Sequence, residues 1–238
     1  MNTSDLTLPE KMVLAGRILD GLGLTEGFGH VTARQPDDPG TILCTGAKAP
    51  GLASLEDLLE FTLAGECVRA AASGLRPALE TPMHLAIYRA RPDVMAICRT
   101  HSPYAVVCGV AETPIRANHG FGGMLGRKVP VHPETDLIVD AAMGDAVAAS
   151  LGSATALLIR GNGALAAGPT LERAVVHAIY LEESARNQVL GLPLGGARRL
   201  SKAELAARSR WYDNEAVRAW DYYAAKFGGA LPANPGPS

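Results

Sequence analysis

The 238-residue sequence predicts an α/β fold, with a central mixed, largely antiparallel sheet and helices on both of its faces. Three observations predict it. Helical and extended segments alternate loosely along the chain. Several extended pairs are separated by short glycine-containing turns, as hairpins are. Apolar residues make up 47% and charged residues 19%, a globular composition in a chain long enough to bury a sizeable core.

Leu8, Met12, Ala15, Ile18 and Leu19 share one face of a helix over residues 8–21, which Gly21 and Gly23 end. His30–Arg34 alternates as a strand does, and Gln35-Pro-Asp-Asp-Pro-Gly40 turns the chain into a second extended segment at Ile42–Cys44. Residues 58–67 read as strand, turn at Ala64-Gly65, and return strand. Thr81 as N-cap and Pro82 at the first helical position predict a helix to about Ala90. Val94–Arg99 is a buried strand, and Ser102-Pro103 opens a helix to about Gly109. Residues 117–128 are glycine-rich and read as loop. A helix over Thr135–Leu151 follows, then strands at Ala156–Arg160 and Ala164–Ala167 around Gly161-Asn162-Gly163. That turn reads as type I′, with positive φ at both central positions. A long helix spans Leu171 to about Leu190, and one amphipathic stretch runs from Lys202 to about Phe227. No internal linker or repeat appears, so residues 1–227 are read as a single domain and residues 228–238 as a disordered tail.

Lys and Arg total 22 against 24 Asp and Glu, which leaves no basic excess to neutralise phosphates and argues against nucleic acid as a partner. No uninterrupted apolar window of the order of 18 residues exists, and the first residues lack the pattern of a secretory signal. Cys44, Cys67, Cys98 and Cys108 form no CxxC pair and read as reduced thiols, which fits a cytoplasmic protein.

Several side chains can carry chemistry. Arg99 and His101 stand two apart at a strand end, where they can point to one side of the sheet edge and bind a carboxylate; a surface arginine and a capping histidine fit the spacing as well. Glu80 precedes a helix, where it is stabilised as an anion or, if buried, serves as a base. His84 reads as a core or helix-surface histidine. Asn162 lies in a turn that explains it structurally. His119 sits among glycines that allow close approach to a ligand. Gly27–His30 and Thr45-Gly46 can present backbone N–H groups to an anion.

Taken in order, these pieces resemble the class II aldolase/adducin head family over about residues 8–195. Gly29-His-Val-Thr-Ala-Arg34 resembles its Gly-(Asn/His)-x-Ser-x-Arg. Leu55-Glu-Asp-Leu58 followed by Gly65 resembles Thr-x-Glu-Asp-Leu and Gly. Glu80-Thr-Pro-Met-His84, Ile87-Tyr88 and Arg91-Pro-Asp-Val94 resemble Glu-x-x-x-His-x-x-Ile-Tyr-x-x-x-Pro-Asp-Val. Leu157-Leu-Ile-Arg-Gly-Asn-Gly163, Gly168 and Leu181-Glu182 resemble Leu-Leu-x-x-x-His-Gly, Gly and Leu-Glu. The resemblance implies a three-layer α/β/α fold and a homotetramer with active sites at subunit interfaces.

It also implies a divalent metal, such as Zn, Mn or Fe, held by three histidines near a glutamate. Here Glu80 and His101 fill two of those places, while Arg99 and Asn162 replace the other two histidines. A guanidinium has no acceptor lone pair and cannot ligate. Arg99 is therefore read as a fixed cation standing in for the metal, with His101 the only retained family histidine ligand. Ala78-Leu79 replaces the Ser-Ser pair that binds phosphate in sugar-phosphate aldolases, which points to a non-phosphorylated substrate. His30, Thr32, Thr45, Gly46 and Asn162 are carried over as substrate-binding positions. The family's tyrosine acid from a neighbouring subunit has no counterpart in Pro114–His119, leaving Arg116 and His119 as polar substitutes. Trp211 and Tyr212 are read either as packing or as groups closing over substrate from the next subunit.

The function expected is that of a carbon–carbon lyase, most directly a decarboxylase of a non-phosphorylated hydroxyaromatic or oxo acid, with Arg99, His101, Glu80 and His119 catalytic. Two alternatives are a metal-dependent aldolase with ligands Glu80, His101 and His84 or His119, and a non-catalytic scaffold.

Overall fold

The computed structural model describes residues 3–229. Its strands are β1 (His30–Arg34), β2 (Thr41–Thr45), β3 (Leu58–Thr62), β4 (Cys67–Arg69), β5 (Ala96–Thr100), β6 (Ile115–Arg116), β7 (Lys128–Val129), β8 (Val131–His132), β9 (Ala156–Ile159) and β10 (Ala164–Gly168). Its helices are α1 (Leu8–Gly21), α2 (Thr81–Ala90), α3 (Pro103–Val110), α4 (Ala141–Leu151), α5 (Leu171–Leu190), α6 (Lys202–Ser209) and α7 (Tyr212–Phe227).

Eight strands form one sheet in the order β4-β3-β2-β1-β5-β10-β9-β8. Every pairing is antiparallel except β8 with β9. β6 and β7 make a separate hairpin. Both faces are covered, because successive side chains of a strand point to opposite faces. Val31, Ala33, Ala96, Cys98, Leu158 and Ala166 face a core shared with α1, α3, α5 and α7. Ile97, Leu157, Ile159 and Leu165 face a second core shared with α2 and α4. This is the three-layer α/β/α arrangement expected.

Local chemistry explains the borders. Thr7 and Glu10 form a capping box ahead of α1. Thr170 accepts from the Arg173 N–H ahead of α5. Four expectations need correction. Glu80, not Thr81, is the residue before α2, because the Thr81 hydroxyl turns back to the Ala78 carbonyl. The helix expected from Thr135 begins at Ala141, where the Asp140 carboxylate accepts from the Met143 N–H; residues 135–140 are irregular. The stretch from Lys202 breaks at Arg210-Trp211 into α6 and α7. The glycine-rich segment holds a 3₁₀ turn over Phe121–Leu125, between β6 and β7. β8 went unseen in the sequence: two residues in a parallel edge pairing leave no periodic signal. Gly228 closes α7, and its carbonyl accepts from Arg17. The remainder of the expected tail, from residue 230, lies outside the described residues.

Candidate active site

The start of β1, the end of β2, the end of β5 and the turn before β10 meet at one end of the sheet, around a cleft of about 490 Å³. In the antiparallel register His30 pairs with Arg99, and Arg99 with Leu165. Arg99 therefore lies between two central strands, its side chain on the face that α2 covers.

Arg99 is fully buried, at 0% exposure. Its Nε donates to Glu80 Oε2 at 3.1 Å. Nη1 donates to the Thr100 carbonyl at 2.7 Å and the Ala164 carbonyl at 3.4 Å, and Nη2 to the Asn162 carbonyl. Gly163 makes room for this. Its φ is +84°, and a Cβ there would lie 2.7 Å from Arg99 Nη1 and 2.3 Å from the Thr100 carbonyl oxygen. The turn consequently differs from type I′: Gly161 and Gly163 carry the positive φ, Asn162 does not, and the Asn162 N–H returns to the Ile159 carbonyl. Arg99 is also absent from the cleft lining. The four hydrogen bonds its guanidinium makes go to Glu80 and three carbonyls.

Glu80 lines the cleft at the head of α2. Burial by itself would raise its pKa, but hydrogen bonding from His30 and the charge of Arg99 outweigh burial and hold the carboxyl at about 2. It is an anion at neutral pH and a weak base. Its second oxygen, Oε1, is buried and meets no protein donor. That oxygen is a buried acceptor left without a donor.

His101 lines the same cleft, its Nε2 3.4 Å from Asn162 Oδ1 and its Nδ1 without a partner. Burial, then the Arg99 charge, lower its pKa, so the ring is neutral at pH 7. His30 completes the polar floor with Nε2 3.5 Å from Glu80 Oε2. Burial lowers its pKa, with Glu80 opposing. The rim is apolar and exposed: Phe28 at 75% and Leu79 at 69%, with Leu137 opposite. Lys48 adds the cation nearest solvent, paired to Asp57 Oδ2 at 2.8 Å.

The structure thus gathers Glu80, His101, His30, Gly46 and Asn162 at the cleft, with Arg99 behind them. The other expected residues lie elsewhere. The Thr45 hydroxyl bonds to the Val31 N–H and carbonyl inside the sheet. Thr32 points beneath α2 to His84 and Tyr88. Gly46, although it lines the cleft, has committed its N–H to the Asp57 carbonyl. His119 packs on α5, with Nε2 3.0 Å from Ser184 Oγ and its ring edge-on to Phe121 and Tyr180. Arg116 is exposed on β6, and its N–H is taken by Gln188. Trp211 precedes α7 half-exposed under the Arg210 guanidinium. Tyr212 is buried against Gly123, where a Cβ would lie 2.0 Å from its hydroxyl. Within one chain none of these four reaches the cleft. The sequence reading missed Lys48 and Leu137. A lysine three residues past the end of β2 was the only signal for the first, and the false helix start at Thr135 hid the second.

The fold and the site's motifs define a class II aldolase-type enzyme scaffold. Residues 10–189 match the family described as class II aldolase and adducin N-terminal domain, and the chain belongs to that family. It is 29% identical over 226 residues, covering 90% of this chain and 94% of the relative, to a 3,4-dihydroxyphthalate decarboxylase from Terrabacter sp.. It is 31% identical over 155 residues, 63% of this chain and 69% of the relative, to a 3-oxo-tetronate 4-phosphate decarboxylase from Pectobacterium atrosepticum. The solved L-fuculose 1-phosphate aldolase from Glaciozyma antarctica superposes with a TM-score of 0.79 at 22% identity, over 94% of this chain and 91% of that one. The relatives support a carbon–carbon lyase of decarboxylase type.

Family membership is consistent with a divalent ion, and the donors can be tested for it. The place of one expected histidine holds the Arg99 guanidinium, a positive charge that repels a cation and lacks a lone pair. Asn162 offers only a neutral amide oxygen, which lies 3.4 Å from His101 Nε2. Among the described residues no three His, Cys, Asp or Glu side chains gather as ligands. The donor set does not fit a zinc-like ion.

Proposed function

We propose that this protein decarboxylates a non-phosphorylated aromatic acid that carries a hydroxyl group beside the carboxylate, without a metal ion. The observation that carries the reading is the pairing of an unsatisfied acceptor, Glu80 Oε1, with a neutral His101 beneath the apolar rim of Phe28, Leu79 and Leu137. A flat ring suits that rim, its hydroxyl suits Glu80, and a retained second carboxylate suits Lys48. Dihydroxyphthalate, the substrate of the relative from Terrabacter, has all three features.

In this reading His101 takes the hydroxyl proton, giving an oxyanion in conjugation with the ring. The imidazolium returns a proton to the ring carbon that bears the carboxylate. The bond to the carboxyl carbon breaks, CO₂ leaves, and its electron pair restores the aromatic ring as a phenolate, which takes one proton from solvent. Glu80 orients the hydroxyl rather than deprotonating it, because its carboxyl is too acidic. Arg99 keeps Glu80 ionised and lends fixed positive charge to the site from behind.

The altered-ligand aldolase is disfavoured by its own candidates. His84 is bonded to His30 and Thr32, and His119 lies on the far side of the sheet. We further propose a homo-oligomer with the cleft at a subunit interface, supported by the exposure of Phe28 and Leu79 and by the distance of His119 and Arg116 from their own chain's cleft. A single domain in a reducing cytoplasm fits the four free cysteines, and no helix among the described residues is long and apolar enough to cross a membrane.

The test is CO₂ release from a panel of hydroxybenzoates and hydroxyphthalates. Release is expected only where a hydroxyl is adjacent to the carboxylate. Silence across the panel with an intact fold, or equal release from the methyl ethers, contradicts the reading.

A further inference from the structure

His30 heads a buried row of hydrogen bonds that leads away from the cleft. Its Nδ1 lies 2.7 Å from His84 Nε2. His84 Nδ1 lies 2.8 Å from Thr32 Oγ1, and Thr32 Oγ1 lies 2.9 Å from the Tyr88 hydroxyl. All four side chains are buried, His84 and Tyr88 almost completely. In such a row each atom must be donor or acceptor toward its neighbour, and only two directions are consistent with neutral rings.

The head of the row selects the direction. His30 Nε2 faces Glu80 Oε2 at 3.5 Å, and Arg99 holds that carboxylate ionised. A carboxylate only accepts, so a bare Nε2 would set one lone pair against another. The hydrogen therefore sits on Nε2, and His30 Nδ1 accepts from His84 Nε2–H. His84 Nδ1 in turn accepts from the Thr32 hydroxyl, which accepts from Tyr88.

We propose that the Glu80 carboxylate fixes His30 in its Nε2–H tautomer and that the row His84–Thr32–Tyr88 carries the same direction inward, so that His30 is a fixed donor that positions Glu80 and is not a base. That His30 is no base in turnover rests on the decarboxylase reading above; the tautomer does not. His30 is then a positioning residue, and the proton-moving role falls to His101, whose Nδ1 is unpartnered. The row is available because β1 puts His30 and Thr32 on one face and α2 puts His84 and Tyr88 one turn apart above them.

Long-range nitrogen–proton NMR of ring-labelled protein, with the six histidines assigned by single substitution, tests the tautomer at neutral pH. The unsubstituted chain is expected to show a protonated Nε2 and a bare Nδ1 for both His30 and His84. Glu80→Leu removes the acceptor that selects the direction, and both rings should reverse or become mixed; Thr32→Val leaves that acceptor in place, and both rings should keep their tautomers. An Nδ1–H or imidazolium His30 in the unsubstituted chain overturns the proposal, and that spectrum decides even if Glu80→Leu fails to fold. Unchanged tautomers in a folded Glu80→Leu, or reversed ones in a folded Thr32→Val, overturn it as well. If no acid in the panel reacts, the decarboxylase reading fails while the spectra still decide the tautomer.

Discussion

The two faces of the central sheet are both buried over apolar cores, yet one of them also buries a row of polar and charged side chains. Under α1, α3, α5 and α7 the strands present Val31, Ala33, Ala96, Cys98 and Leu158, an apolar core with no charge to satisfy. Under α2 the same strands present His30, Thr32, Arg34 and Arg99, and the helix answers with His84 and Tyr88 from above and Glu80 at its head. Arg34 closes the row at its inner end, donating to the Tyr88 carbonyl at 2.8 Å with its guanidinium over the Tyr88 ring. The apolar face is held by burial. The polar face is held by partners, and each group there is costly if its partner is lost. The difference separates the part of the sheet that makes the fold from the part that makes the site.

Breaking the polar face at its centre should have the largest effect. Arg99→Met leaves Glu80 buried with its main partner gone, and the expected loss is about 3–5 kcal/mol of stability, read by urea unfolding. Adding Glu80→Gln to that variant should recover part of the loss, because the uncompensated charge is removed. On the apolar face Leu158→Ala should cost about 2–5 kcal/mol, with no second-site recovery of this kind.

pH sharpens the same contrast. Burial lowers the pKa of His30, His84 and His101, and Glu80 lies at about 2 against an ordinary 4.5. In each case the unfolded chain binds more protons than the folded one. Their contribution is fully present above about pH 6.5 and declines as pH falls, first through the histidines and then, below pH 4.5, through Glu80. Urea midpoints should therefore drop between pH 8 and pH 5, while the cost of Leu158→Ala stays constant.

Smaller effects are expected at the edges. Leu79→Ser removes one exposed apolar contact, about 1 kcal/mol, and should raise KM for an aromatic acid roughly fivefold with kcat little changed. Tyr212→Phe should move stability by no more than about 1 kcal/mol and leave turnover unchanged if Tyr212 only packs. Its hydroxyl is buried without a partner against the Gly123 turn, so nothing is broken by its loss.

The same contrast explains what was legible in the sequence. Helices α1 and α5 have wide apolar stripes and local caps, and their borders followed from residue spacing. β1 alternates polar and apolar residues, which marks a strand but not the fate of its polar side. That side is covered by α2 instead of water, and only tertiary packing decides this. The Glu80–Arg99–His101–Asn162 grouping came from motif order, and the structure gathers those residues at one end of the sheet. The depth of Arg99 was not legible because spacing shows which residues share a strand end, not how deep a guanidinium lies. The sequence reading placed His119, Arg116, Trp211 and Tyr212 by analogy with a neighbouring subunit's contribution, and in one chain they sit across the sheet from the cleft.

In the proposed reaction Arg99, not a metal ion, supplies the positive charge at this site. Dialysing the purified protein against a strong chelator, verifying metal content by elemental analysis, and measuring CO₂ release from an ortho-hydroxy aromatic acid tests this. Turnover that persists without stoichiometric metal, and does not rise on adding zinc, manganese or iron, is the predicted result. Activity that vanishes with the metal and returns on its addition would contradict the account and show that the guanidinium does not do the metal's work.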